Sequence, residues 1–158
     1  MLAILEDYLE RLTDQHLQLE RTLKGLSIEA LDWTPAPGMN SLCVQVVHVC
    51  GSTRFAVGDI AAGISSSRDR DAEFRASGLD EDTLQLRLTD TRTFVRGVLE
   101  NLSQEDLSQV RPIPGSKNAN GEPETDRVSR VLLHTLAHTA LHVGHAQITR
   151  QLWNQRQT

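Results

Sequence analysis

Four of the chain's six histidines, His134, His138, His142 and His145, fall within twelve residues. An α-helix turns by ~100° per residue, so these four side chains share an arc roughly 80° wide. Imidazoles stacked one turn apart are how a helix chelates a transition metal. His138 and His142, at i and i+4, are best placed to reach one ion. His134 and His145 cannot both join them at a tetrahedral centre, and they belong beside it or in a pocket wall. Zinc metalloproteases use the same i, i+4 pair but follow the first histidine with a glutamate as general base. Here that position holds Thr139.

Two histidines make a weak site, so a third ligand must come from another element. His48 is the best candidate, embedded in Val46-Val47-His48-Val49-Cys50. A neutral imidazole in so apolar a stretch needs hydrogen bonds or a metal. Small neighbours, Gly51 and Ser52, leave room for a ligand beside it. Three imidazoles with an open fourth position describe a catalytic rather than a structural metal site. Such a metal either activates water or holds a thiol as thiolate, and the spacing does not choose between them.

These residues must be positioned by helices. Leu2, Leu5, Leu9, Leu12, His16, Leu19, Leu23 and Leu26 recur at alternating steps of three and four, the apolar seam of a long bundle helix. Ser27, Glu29 and Leu31 predict a short capped turn that Pro35 and Pro37 break. Asn40 or Ser41 caps a second helix running to about Ala62. A polar segment, Gly63 to Leu79, follows, and Asp80 caps a third helix ending near Asn101. Another short turn begins at Ser103, and an irregular run spans Arg111 to Glu124. Thr125 or Asp126 then caps a last helix reaching about Gln155. The expectation is an all-α protein, a four-helix bundle with almost no strand, forming a single domain over residues 1–158.

A weak repeat runs through the chain. Leu23, Leu26, Ser27, Glu29 and Leu31 reappear 76 positions later as Leu99, Leu102, Ser103, Glu105 and Leu107. It implies an αα-hairpin used twice. In that register His16 matches Arg92, both on helix faces otherwise filled by Leu and Val. Each therefore needs a partner or a water-filled pocket.

Composition narrows the function. A formal net charge of −5 repels a phosphate backbone, so nucleic acid is not an expected partner. No apolar run approaches the roughly 20 residues that span a bilayer. Cys43 and Cys50, seven residues apart on one helix, lie too far apart to pair (about 10 Å). With no signal peptide recognisable, the cytoplasm is the expected compartment.

The chain resembles the DinB/YfiT-like family of metalloenzymes. The resemblance rests on Leu31-Asp32-Trp33-Thr34-Pro35, on Gly38-Met39-Asn40-Ser41-Leu42 with His48 seven residues after the serine, and on His138-x-x-x-His142-Val143-Gly144-His145. The last is similar to the family's H-x-x-x-H-x-G-Q, with histidine here in place of glutamine. The resemblance implies a four-helix bundle, a homodimer, and one divalent metal such as zinc or nickel on His48, His138 and His142. It also implies a low-molecular-weight thiol (mycothiol, bacillithiol or glutathione) as co-substrate. The expected function is thus a thiol-dependent S-transferase or isomerase acting on a small electrophile. Arg92 or Lys117 is the expected receiver of a thiol's carboxylate. The alternatives are a hydrolase using metal-activated water and a non-enzymatic metal-binding stress protein.

Overall fold

A computed structural model describes residues 1–156, so the last two positions of the expected 1–158 span lie outside it. Four long helices form the frame: α1 (Ala3–Leu23), α3 (Leu42–Arg54), α5 (Glu81–Leu99) and α7 (Val128–Arg156). Between them lie three short ones, α2 (Ile28–Asp32), α4 (Arg70–Glu73) and α6 (Gln104–Ser108). α1 packs on α5 and α7, and α3 on the same two, which closes the bundle. The helix starts are where capping chemistry puts them. Ser27, Ser41 and Asp80 each accept a backbone N–H of the first turn, and Ser103 forms a full capping box with Asp106.

Three features differ from the sequence expectation. Beyond Arg54 the second long helix widens into a π-helical stretch, Phe55–Ala62, which Gly63 ends in the left-handed conformation (φ 69°). Gly58 allows it, because a Cβ there would lie 2.8 Å from the Phe94 ring. The run from Arg111 to Glu124 is not irregular but mostly an antiparallel hairpin, β1 (Val110–Lys117) and β2 (Pro123–Arg127). Its turn is closed by Asn118, whose side chain accepts from the backbone of Asn120 and Glu122. Arg111 ties the hairpin to the bundle, donating to the Ala61 carbonyl and, at 2.7 Å, to Asp106. Thr125 and Asp126 consequently lie in β2, and α7 begins at Val128 without the predicted cap.

The core is split along the bundle axis. One apolar cluster gathers Leu5, Leu9, Leu12, Val95, Leu99 and Leu132; the other gathers Leu19, Leu23, Val46, Val49, Leu88 and Val143. Between them every long helix contributes buried polar groups: Gln15 and His16 from α1, Thr53 from α3, Thr91 from α5, Thr135 and Thr139 from α7. The threonines of α5 and α7 return their hydroxyls to backbone carbonyls one turn back, and Gln15 donates to the Leu136 carbonyl at 3.2 Å. Trp33 and Trp153 pack against each other at one end, ring centroids 5.6 Å apart.

Candidate metal centre

α3 and α7 bring His48, His138 and His142 together at the level of this polar layer. One ring nitrogen from each lies within 4.8 Å of the others. The ring centroids of His48 stand 5.1 Å from His138 and 4.9 Å from His142. Helical spacing explains the α7 pair, and antiparallel packing of α3 onto α7 supplies the third ring.

Hydrogen bonds fix which nitrogens face inward. His48 Nδ1 lies 2.9 Å from Glu73 Oε2, and a carboxylate only accepts, so this nitrogen carries the proton. The Ser52 hydroxyl donates to the Val49 carbonyl, so its oxygen can accept the Nδ1–H of His138 across a long 3.4 Å. The two Nε2 atoms face each other at 3.2 Å, a hydrogen bond where one of them carries a proton and a pair of lone pairs where neither does. In the second case a metal ion can take the place of the proton. Two nitrogens bound to one tetrahedral zinc lie about 3.3 Å apart, so the spacing fits. His142 Nδ1, also buried, makes no hydrogen bond to any described residue.

The electrostatics agree. Burial, reinforced by the neighbouring imidazoles, pushes His138 and His142 down to about 4. Both rings are thus neutral at pH 7, the form that ligates metal. Glu73 would be raised by burial alone, but hydrogen bonds from Arg68 and His48 outweigh that and hold its carboxyl below the ordinary range.

The other expected site residues lie apart from this cluster. His134 stands one turn before His138, centroids 6.2 Å apart, and helps line a cavity of about 310 Å³ beside the triad. His145 is exposed, its ring 6.0 Å from His142. His16 is fully buried in the polar layer near Arg92. Arg92 is committed to Glu20 at 2.6 Å and to Thr89 at 2.9 Å. Lys117 is exposed at the end of β1. The cavity's cations are instead Arg68 and Arg70, its apolar wall Phe55, Ile60, Ile113 and Val131. Arg68 and Glu73, which sequence reasoning passed over, come from the polar segment, where nothing in their spacing marks them.

Among the described residues, no helix is long and apolar enough to cross a membrane. No curated protein matches the sequence. Among solved structures, a conserved protein from Enterococcus faecalis is similar with a TM-score of 0.76 and 16% identity, over 96% of this chain and 98% of that one. A DinB-like protein from Bacillus subtilis matches with a TM-score of 0.68 and 14% identity, over 92% and 90%. A mycothiol-dependent maleylpyruvate isomerase is similar at 0.62 and 16%, over 88% of this chain but 59% of that enzyme. The fold is therefore DinB-like and all-α. The family model described as mycothiol-S-transferase matches residues 5–155, nearly the full length. The chain belongs to the mycothiol-S-transferase family.

Proposed function

We propose that the protein is a divalent-metal-dependent enzyme that transfers a low-molecular-weight thiol to a small electrophile, or uses the thiol to isomerise it. The observation that carries this reading is the cluster of His48, His138 and His142, one ring nitrogen of each within 4.8 Å of the others, in a chain of this family. Zinc or nickel held by His48, His138 and His142 would supply a Lewis acid that keeps a bound thiol deprotonated at neutral pH.

The chain's own thiols do not compete for that role. Burial, with Asp32 close by, pushes Cys43 up to about 11, and burial alone does the same to Cys50. Neither is a thiolate at pH 7, so the nucleophile comes from outside. Both are free, in keeping with a reducing cytoplasm. Phe55, Ile60, Ile113 and Val131 exclude water around the electrophile. Arg70, which stacks on Phe74 at 4.9 Å, takes the anion-receiving role that Arg92 cannot, being engaged with Glu20. In transfer, the thiolate sulfur forms a C–S bond as the leaving group departs. In isomerisation, it adds to a double bond and leaves again after rotation, returning the thiol.

The test is turnover of an electrophile such as monochlorobimane by zinc- or nickel-loaded protein, with mycothiol, bacillithiol or glutathione. We expect conjugation that requires both metal and thiol. Ester or amide hydrolysis without thiol would overturn the reading in favour of a hydrolase.

A homodimer belongs to the same proposal. Leu133, Leu141, Ile148 and Leu152, between 38% and 66% exposed, share one face of α7 alongside the histidines. Such a continuous apolar stripe is uncommon on a monomer's surface. Sedimentation of Leu141→Lys/Ile148→Lys should give half the wild-type mass at micromolar concentration. An unchanged mass would exclude this face.

A further inference from the structure

Glu73 ends α4 with its carboxylate in the bundle; the residue is only 5% exposed. Burying a carboxylate demands several strong hydrogen bonds, and two residues donate three. His48 Nδ1 donates to Oε2, and Arg68 brackets the group, Nε to Oε1 at 2.7 Å and Nη2 to Oε2 at 2.8 Å. The backbone of α3 also yields to it. A Cβ at Gly51 would stand 2.0 Å from Glu73 Oε1 and 2.6 Å from its Cδ, so any other residue there evicts the carboxylate. The Phe74 ring, next in sequence, lies 4.7 Å from the His48 ring and limits its tilt. An Arg68–Glu73 pair serving stability alone would need neither the glycine nor the imidazole.

We propose that Glu73 is a positioning residue: it holds His48 as the Nδ1–H tautomer with Nε2 turned towards His138 and His142, and Gly51 and Arg68 seat it for that task. The proposal rests on the metal-dependent reading above. An imidazole donating to a carboxylate is a stronger electron-pair donor at its other nitrogen, and its ring cannot swing away. The polar segment thus acts on the metal site without touching the metal.

The experiment compares wild type, Glu73→Gln, Gly51→Ala and the double variant. Zinc affinity is measured by chelator competition, the ligand field by the visible spectrum of the cobalt(II) forms, and folding by the melting temperature without metal. We expect zinc to bind about 10–100-fold more weakly in each single variant. The double variant should bind no worse than the weaker single one, since both changes act on the same Glu73–His48 contact. The cobalt spectrum should shift in both. Wild-type affinity and spectrum in both variants, whatever happens to the melting temperature, would mark the carboxylate as structural and overturn the proposal. If that occurs while His138→Ala loses its zinc, the metal reading stands. A wild type that binds no zinc overturns both.

Discussion

His138→Ala should fold, bind no metal and transfer no thiol. Half-buried on a helix whose other face carries the packing, His138 contributes little to the core, so the variant should keep its helical spectrum. The loss of metal should be close to complete. Removing a hydrogen-bond partner outside the ligand set costs about 10–100-fold in affinity, and removing a ligand costs more. Elemental analysis of the untagged protein should find about one equivalent in wild type and none in His138→Ala or His48→Ala. His145→Gln, which installs the residue of the family pattern, should keep its metal, because His145 is exposed with its ring 6.0 Å from His142. Stoichiometric metal in purified His138→Ala would sink the ligand assignment.

The second large effect concerns acid stability and His16, remote from the chemistry. His16 interrupts the leucine seam of α1 with no exposed surface, and neither ring nitrogen makes a well-formed hydrogen bond. Burial, aided by the Arg92 charge, pushes it down to about 4, although the Leu88 backbone favours its protonated form. In the unfolded chain the ring titrates near 6.5. Between those values the unfolded state binds the extra proton. The stability that His16 contributes is therefore complete above pH 6.5 and lost progressively as the pH falls towards 4, reaching about 3 kcal/mol there. His16→Leu continues the seam and should be at least as stable as wild type at pH 7. Urea titrations at pH 7 and pH 4.5 should show the wild type losing 2 kcal/mol or so more than the variant across that interval. Equal losses would mean that His16 is not held neutral by its burial.

What was legible in the sequence was what local rules govern. Ser41, Asp80 and Ser103 cap the helices expected of them because a capping side chain bonds within three residues of itself. His138 and His142 share a face by helical geometry alone, and His48 stood out because an imidazole among valines needs a reason. Arg92 needs a partner by its place in the sequence, but which one is not readable there, since Glu20 lies on another helix. Glu73 was invisible for the same cause: its value lies in meeting Gly51 and His48, a matter of tertiary placement. The hairpin escaped because Pro112, Pro114 and Gly115 oppose strand formation. The π-helical stretch reads as plain helix, for its apolar residues differ little from those of α3 and only Gly58 and Gly63 hint at the widening.

The layer of threonines, Gln15 and His16 between the two apolar clusters has a mechanical meaning. Most of the bundle's cohesion lies above and below it, so a cross-section through the middle exposes the least hydrocarbon when the helices part. The three imidazoles sit at that waist and join α3 to α7 there. An ion shared by the two helices would rivet the bundle where it is weakest, raising the melting temperature as native-state binding must. Amide exchange around Thr135 and Thr139 should slow on loading more than exchange near Leu9 or Leu23.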